Sequence, residues 1–204
     1  MNQDFSAKHY AARTYEKMQE VLMNPSAPGP QILYHLVRGG TNQRNITVWE
    51  PGTVGGEYIK TYGHYHVGKL DETYWVLFGE GIVLLQKRVV DENGNPIDNQ
   101  IDQVYAVHVK PGDNIFIPAE WGHLVANISN TYFVTADDSP VNFDEENPVD
   151  LPGHADYEAV KKMHGFCYYV VEEDGKPKLV RNQKYTKIPD IQIIESSEYP
   201  LKKA

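Results

Sequence analysis

The chain has 204 residues and a formal net charge of -9, from 19 basic and 28 acidic residues. Hydrophobic residues make up 41% of the chain and aromatic residues 11%, which is an ordinary globular composition with enough apolar chain for one sizeable core. The acidic balance argues against a nucleic-acid partner and against an anionic membrane surface, and no apolar run reaches the roughly 18 residues of a membrane span.

The first thirty residues are predicted to form a helix and an arm. Residues 7–23 are rich in helix formers, and Tyr15, Met18 and Leu22 recur at spacings of three and four residues, which gives one apolar face. Asn24 and Pro25 end this predicted helix, and residues 24–30 (NPSAPGP) read as a linker or wrapping arm.

The compartment is predicted from the N-terminus and from cysteine usage. The first twenty residues are too polar for the core of a signal peptide. The single cysteine, Cys167, cannot form an internal disulfide and is expected to be a buried small hydrophobe. We therefore expect a cytoplasmic protein.

Short apolar runs separated by turns rich in glycine and proline follow from residue 31 to residue 136. They predict strands at 32–37, 45–49, 57–61, 63–67, 73–78, 82–90, 103–109, 114–117, 123–128 and 131–136. This succession is typical of an all-β antiparallel sandwich or barrel of the jelly-roll type. We expect an N-terminal helix and arm over 1–30, one domain over 31–185 and a tail over 186–204.

The last third of the chain mixes loop, helix and hairpin patterns. Residues 137–153 are an acidic, proline-containing loop, which is either a solvated excursion or a lid over a pocket. Residues 156–163 predict a short helix, and residues 165–182 predict a hairpin. The sequence IQII at 191–194 predicts an edge strand.

Two separated blocks carry residues that suit a metal. His64 and His66 are two residues apart, so both imidazoles leave the same face of a strand, although such pairs also arise by chance. Glu72 begins the next strand after a short loop, and Tyr74 shares its face. His123 opens a later strand. Three imidazoles and one carboxylate suit Fe²⁺, Mn²⁺, Ni²⁺ or Zn²⁺ and leave coordination positions open.

These blocks resemble the two motifs of the cupin superfamily. The first motif is matched at His64, His66, Glu72 and Gly79. The second is matched at Gly112, Pro118, His123 and Asn127. Tyr58 and Glu120 stand where the motifs have glycine. The resemblance implies a double-stranded β-helix, a jelly-roll barrel, with a metal held by His64, His66, Glu72 and His123.

Longer runs are similar to the cupin-type glucose-6-phosphate isomerases over residues 32–185. These runs are residues 47–66, 72–86, 116–127 and 153–180. The similarity implies a homodimer that interconverts glucose 6-phosphate and fructose 6-phosphate in glycolysis and gluconeogenesis with a divalent metal, commonly iron. It also implies that Thr47, Thr61 and Gly63 hold the phosphate through hydroxyls and a backbone amide.

The resemblance further implies two active-site side chains. Tyr74 corresponds to an active-site tyrosine, and His154 to a histidine of a Gly-His-Asp-Tyr stretch that carries the inserted Ala155 here. His154 is a candidate for assisting ring opening. Residues 139–152 are an insertion, which leaves the distal pocket undefined.

The chemistry and the class of protein stay open at the level of sequence. The hydrogen moves between C2 and C1 either as a proton through a cis-enediol, with Glu72 as both ligand and base, or by a metal-assisted hydride shift. Tyr74 would hydrogen-bond a substrate oxygen in both routes. Two other classes fit the same ligands: a cupin dioxygenase and a non-catalytic sugar-binding cupin.

Overall fold

Alternating burial along the apolar runs makes the chain a β protein. Along residues 45–49, for example, buried Asn45, Thr47 and Trp49 alternate with half-buried residues, as expected of a strand with one face on a core. The computed structural model describes residues 10–39, 44–140 and 155–203.

The first half of the described chain contains the strands β1 (Tyr10–Thr14), β2 (Ile32–Val37), β3 (Asn45–Trp49), β4 (Thr53–Val54), β5 (Glu57–Tyr58), β6 (Tyr65–His66), β7 (Glu72–Phe78) and β8 (Gly81–Val90). The second half contains β9 (Pro96–Val109), β10 (Asn114–Ile117), β11 (Trp121–Asn127), β12 (Phe133–Asp137), β13 (Ala155–Asp156), β14 (Tyr168–Glu173), β15 (Lys176–Arg181) and β16 (Ile193–Glu195). The helices are α1 (Tyr15–Met18), α2 (Glu158–Lys162) and a 3-10 turn at Ser196–Glu198.

Two larger sheets form the barrel. The six-stranded sheet has the order β1-β2-β3-β12-β7-β10, and the four-stranded sheet has the order β11-β8-β9-β16. One apolar cluster joins their inner faces, with Trp49 and Phe133 from the first sheet and Leu84 and Val125 from the second. The fold is therefore the all-β cupin jelly roll that the sequence predicts. Two further sheets are the two-stranded β13-β6 and a second four-stranded sheet, β15-β14-β5-β4.

The predicted helix over 7–23 is wrong for most of its described part. Tyr10–Thr14 is a strand that pairs antiparallel with β2, and only Tyr15–Met18 is helical. Pairing at the free edge of β2 overrides helix propensity, which is a weak preference. Thr14 then caps α1, because its side chain accepts a hydrogen bond from the backbone N–H of Lys17.

The chain that follows α1, residues 19–30 and called the arm below, contacts a buried ion pair of the barrel. Met18, Val21 and Leu22 are buried. The Lys60 ammonium donates to the Val21 carbonyl at 2.6 Å, and the Glu57 carboxylate accepts from the Met23 N–H at 2.7 Å. Lys60 Nζ lies 3.1 Å from Glu57 Oε1.

Other boundaries differ from the predictions at irregular places. Of the predicted strands 57–61 and 63–67, only Glu57–Tyr58 and Tyr65–His66 are regular, whereas 103–109 lengthens into β9. Asp137, which was expected in the acidic loop, ends β12 and is buried. The predicted loop or lid at 137–153 is described only as far as residue 140, and the rest of it lies outside the described residues.

The C-terminal predictions are confirmed. β14 and β15 form the predicted hairpin, α2 lies within 156–163, and β16 is an edge strand that runs parallel to β9. Cys167 is buried. No helix of the described chain is long and apolar enough to cross a membrane.

Candidate metal centre

A backbone bulge aims the first histidine of the centre into the barrel. Residues 59–64 run antiparallel to β11: Thr61 N–H donates to the Val125 carbonyl at 2.9 Å, and His64 N–H donates to the His123 carbonyl at 3.2 Å. Three chain steps on one side thus oppose two on the other, which is a β-bulge. Gly63 supplies the extra residue's conformation with φ +81°.

The four predicted ligands converge from different elements: Glu72 from the six-stranded sheet, His123 from β11, and His64 and His66 from β6 and the segment before it. His64, His66, Glu72 and His123 each offer one ligand atom, and these atoms all lie within 4.8 Å of one another. Nε2 of His64 lies 3.2 Å from Nε2 of His66. Glu72 Oε2 lies 3.5 Å from His66 Nε2 and 3.0 Å from His123 Nε2.

The donor set fits a divalent cation. Among the described residues, Glu72 Oε2 and both ring nitrogens of His123 are buried without a hydrogen-bond partner. Buried polar atoms are seldom left unpaired, so lone pairs that point at one another indicate a cation between them. Nitrogen and oxygen donors in this ratio are those that iron, manganese, nickel and zinc accept.

Burial keeps the three imidazoles neutral. It lowers the pKa of His66 to about 3 and that of His123 to about 4. It also lowers the pKa of His64 well below the usual range, and the neighbouring His123 adds to this effect. Neutral imidazoles offer the lone pairs that a metal needs.

A second buried carboxyl group, absent from the sequence predictions, adjoins the centre. Asp137 on β12 is the register partner of Tyr74 on β7, and its carboxylate accepts from Asn45 Nδ2 at 2.6 Å and from the Ser139 N–H at 3.1 Å. Burial raises the pKa of Asp137, and the adjacent Glu72 raises it further. Burial likewise raises the pKa of Glu72. A cation beside the pair would offset this accumulation of negative charge.

Two aromatic residues stand over the histidines. The Tyr74 ring meets the His123 ring edge to face, with centroids 5.4 Å apart. The Tyr157 ring lies 5.6 Å from the His64 ring and 5.2 Å from the Tyr62 ring. Tyr74 is the active-site tyrosine expected from the sequence, whereas Tyr157 had no predicted role beside the histidines.

The residues expected at the phosphate occupy two places. Thr61 and Gly63 directly precede His64, and Thr61 Oγ1 accepts from the Val125 N–H at 3.0 Å, which leaves its own hydroxyl hydrogen free to donate. Thr47 is buried on the inner face of β3, in register with Leu36 and Thr135. His154 lies outside the described residues.

One departure from the cupin motif has a visible backbone consequence. Glu120, at the inner glycine position of the second motif, adopts φ +71°. The turn before β11 therefore has the left-handed backbone conformation that is typical of glycine, although the residue there is a glutamate.

The barrel and its buried cluster of three histidines and one glutamate define a cupin with a candidate metal centre. A family model described as "Glucose-6-phosphate isomerase (GPI)" matches residues 34–190. The chain belongs to this glucose-6-phosphate isomerase family.

Relatives named glucose-6-phosphate isomerase agree with this assignment. The protein of Thermococcus onnurineus (strain NA1) is 36% identical over 141 residues, which are 68% of this chain and 62% of the relative. That of Pyrococcus furiosus is 34% identical over 143 residues, which are 69% of this chain and 63% of the relative. The match thus covers less than two thirds of the relatives' length.

Solved structures share part of the chain path at low sequence identity. An oxalate oxidase structure superposes with a TM-score of 0.34 at 19% identity over 46% of this chain and 39% of the other. The capsular polysaccharide assembling protein CapF of Staphylococcus aureus gives 0.36 at 20% identity over 51% of this chain and 24% of the other.

Proposed function

We propose that this chain is a metal-dependent aldose-ketose isomerase that interconverts glucose 6-phosphate and fructose 6-phosphate, a reaction of glycolysis and gluconeogenesis. The observation that carries the proposal is the buried ligand set, whose four donor atoms lie within 4.8 Å of one another. Membership of the glucose-6-phosphate isomerase family supplies the substrate class.

The cofactor in this proposal is one divalent ion held by His64, His66, Glu72 and His123. We favour Fe²⁺, and Mn²⁺, Ni²⁺ and Zn²⁺ suit the same donors. When bound, the ion supplies Lewis-acid polarisation of the substrate's carbonyl and hydroxyl oxygens.

The protein's own groups then have distinct tasks. Burial raises the pKa of Tyr74 well above its usual value, so its hydroxyl stays protonated and donates a hydrogen bond to a substrate oxygen. Glu72 takes the proton from C2 of open-chain glucose 6-phosphate while O1 takes a proton from water and a cis-enediol forms. O2 then gives its proton back to water, C2 becomes the carbonyl carbon, and Glu72 returns its proton to C1.

The remaining assignments concern substrate binding and ring opening. We propose that Thr47, Thr61 and the Gly63 N–H donate to the phosphate group, which needs no formal charge. His154 is proposed to assist ring opening on the basis of the family resemblance alone.

The decisive experiment measures turnover of fructose 6-phosphate without oxygen after the metal has been stripped and then restored. We expect glucose 6-phosphate to form only in the metal-loaded protein. An absolute requirement for oxygen would instead indicate a dioxygenase, and tight sugar binding without turnover a sugar-binding cupin. Isomerisation that survives complete metal removal would overturn the metal mechanism.

A Tyr74→Phe variant tests the role of the hydroxyl within that reaction. Because Tyr74 is not among the four ligands, we expect metal affinity to be unchanged. Turnover is expected to fall by roughly 10²-fold, the usual effect of losing one positioned donor. Unchanged turnover would remove Tyr74 from the reaction.

A homodimer and a cytoplasmic location complete the proposal. Leu77 and Phe78 at the end of β7 and nearby Tyr132 are each about half exposed, and such an apolar patch suits a protein contact. The N-terminal arm and β16 are the elements that we propose to test for exchange between subunits; within one chain, Val21 contacts Lys60 and β16 pairs with β9. Light scattering tests the dimer, and a monomer mass would contradict it.

A further inference from the structure

An arginine outside the family match projects toward the substrate side of the barrel. Arg13 lies on β1 and is the register partner of Tyr34, which in turn pairs with Trp49 on β3. Directly opposed residues of antiparallel strands project to the same face. Tyr34 and Trp49 are buried in the core, so Arg13 is on the inner face of the six-stranded sheet, at its edge.

Arg13 reaches the aromatic residues that stand over the metal centre. Its Nη2 lies 3.5 Å from the Tyr157 hydroxyl, and its guanidinium carbon lies 5.8 Å from the centre of the Tyr157 ring. The same ring lies 5.6 Å from the His64 ring. One aromatic side chain therefore contacts both the guanidinium and a metal ligand.

The guanidinium lines a small cavity that also contains Glu158, and in the part of the chain that the structure describes these two side chains form no ion pair. The cavity has a volume of about 130 Å³ and is lined by Arg13, Lys17, Tyr62, Tyr157, Glu158 and Lys161. The two lysines already pair with Glu20, at 2.8 Å and 3.3 Å. Within residues 10–39, 44–140 and 155–203, no carboxylate lies at ion-pair distance from Arg13.

The neutral phosphate donors lie on the same side. The Tyr62 N–H, between Thr61 and Gly63, donates to the Tyr34 hydroxyl at 3.2 Å. Tyr34 is also the register neighbour of Arg13. The segment 61–63 and the guanidinium thus border one region, a few side chains from the metal ligands.

We propose that Arg13 is a phosphate-binding residue of this protein. Its guanidinium binds the phosphate dianion on C6 of the sugar while C1 and C2 lie at the metal centre. This inference rests on the proposed isomerase function. The reacting carbons and the phosphate are at opposite ends of the open-chain sugar, so the phosphate site must lie away from the metal. A guanidinium matches phosphate oxygens with two parallel donors and is always charged.

The proposal changes the account of specificity. Thr47, Thr61 and Gly63 supply neutral donors, which discriminate weakly between a phosphate and a hydroxyl. Arg13 adds the charge that separates a sugar phosphate from a free sugar. β1 precedes the matched residues 34–190, so Arg13 lies outside the family match.

The test compares Arg13→Met with Arg13→Lys and with a control cation outside the cavity, Lys178→Met. Lys178 lies on the hairpin and is paired with Glu173. Two quantities are measured in metal-loaded protein: KM and kcat for fructose 6-phosphate, and the Kd for glucitol 6-phosphate, which has no carbonyl and is not isomerised. Thermal unfolding midpoints show whether each variant is folded.

Arg13→Met is expected to raise KM and Kd by roughly ten- to hundredfold, since a hydrogen bond to a charged group is worth one to two tenfold steps. kcat should change little, Arg13→Lys should recover part of the affinity, and Lys178→Met should change Kd by less than about twofold. Equal Kd values for wild type and a folded Arg13→Met overturn the inference, even if isomerisation is intact.

The binding measurement separates this inference from the proposed function. A wild-type protein that binds glucitol 6-phosphate through Arg13 but isomerises nothing would refute the isomerase and support the phosphate role. A wild-type protein that binds no sugar phosphate at all would overturn the inference.

Discussion

His64 and His123 exchange both of their backbone hydrogen bonds. The N–H of His64 donates to the His123 carbonyl at 3.2 Å, and the N–H of His123 donates to the His64 carbonyl at 3.0 Å. Their rings therefore lie with centroids only 4.4 Å apart, although 59 positions separate them in sequence. Two of the four proposed ligands are placed by the backbone itself, which leaves the barrel to position only Glu72 and His66 around them.

The bulge at Gly63 sets this pairing, so it gives the first prediction. A Cβ on Gly63 would lie 2.8 Å from Phe166 Cε1, in a backbone with φ +81°. We expect Gly63→Ala to lower the free energy of unfolding by about 2–4 kcal/mol, from the positive φ and the clash together. Metal affinity should fall as well, because the backbone segment that positions the His64 side chain moves.

Gly94 provides a matched control for that substitution. It has φ +82° and no atom within 4 Å of a built Cβ. Gly94→Ala should therefore cost only the backbone part, about 1 kcal/mol, and leave metal binding alone. Denaturant unfolding and metal titration measure both effects. An equal loss of unfolding free energy in the two variants would mean that the Phe166 side chain moves aside without cost. It would also mean that the bulge does not determine the geometry of the metal centre.

Glu72→Gln should strengthen the metal-free protein while weakening its metal binding. In the metal-free state Glu72 is a buried carboxyl beside Asp137, and burial raises its pKa. Below the ordinary carboxyl pKa, about 4, Glu72 is protonated in both the folded and the unfolded state and costs no stability. As the pH rises from there through the raised folded-state pKa, the unfolded state ionises more easily, and the folded protein loses stability. The variant removes that loss.

The expected gain in unfolding free energy is about 1–3 kcal/mol at pH 8 in chelator and close to zero at pH 4. With metal present the order reverses, because a ligand at 1,000 times its Kd stabilises the wild type by about 4.1 kcal/mol, which exceeds that gain. Glu50→Gln, at a half-exposed carboxylate 3.3 Å from His35, is the control and should show neither effect. A Glu72→Gln protein that is less stable than wild type in chelator at pH 8 would contradict the expectation that ionised Glu72 destabilises the metal-free protein.

The site and the fold were predictable to different depths. The ligands His64, His66, Glu72 and His123 could be predicted because their residue types and local spacing match the two cupin motifs, although only Glu72 begins a strand. Most strands followed from alternating apolar residues. The edge strand β1 did not, because its sequence favours a helix and only the open edge of β2 makes it a strand.

Arg13 and Asp137 escaped prediction for a related reason. Each reaches the site through a neighbouring strand that is distant in sequence: Arg13 through Tyr34 on β2, and Asp137 through Tyr74 on β7. Local periodicity contains no information about such register partners. Asp137 was further concealed within a run of acidic residues that is otherwise typical of a solvated loop.

The ion pair under the arm gives a third prediction. Glu57 and Lys60 are both fully buried, and removing one partner of such a pair leaves an uncompensated charge. Lys60→Met should therefore cost about 3–5 kcal/mol of unfolding free energy. Glu57→Gln combined with Lys60→Met should cost less than Lys60→Met alone, because the glutamine still offers an oxygen to the Met23 N–H.

A double-mutant cycle in denaturant measures this coupling. Glu173→Gln with Lys178→Met, at an exposed pair 2.6 Å apart on the hairpin, is the control, and its coupling should be below about 1 kcal/mol. If the two substitutions at Glu57 and Lys60 simply add, the arm is held by apolar burial of Met18, Val21 and Leu22 and not by the ion pair.

The C-terminal strand should loosen as the pH rises. His108 on β9 lies between two carboxylates, 3.0 Å from Glu80 and 3.1 Å from Glu195 on β16. Partial burial lowers the pKa of His108, but the hydrogen bonds that it donates to Glu195 and Glu80 outweigh this effect, and the pKa is raised overall. The contribution of this contact is thus fully present below the unfolded-state value, about 6.5, and is lost as pH rises through the folded-state pKa. Hydrogen exchange of the β16 amides, corrected for the intrinsic rate, should show less protection at pH 9 than at pH 6. His108→Gln should abolish that difference, whereas wild-type protection that is independent of pH would show that β16 is held by its backbone pairing with β9 alone.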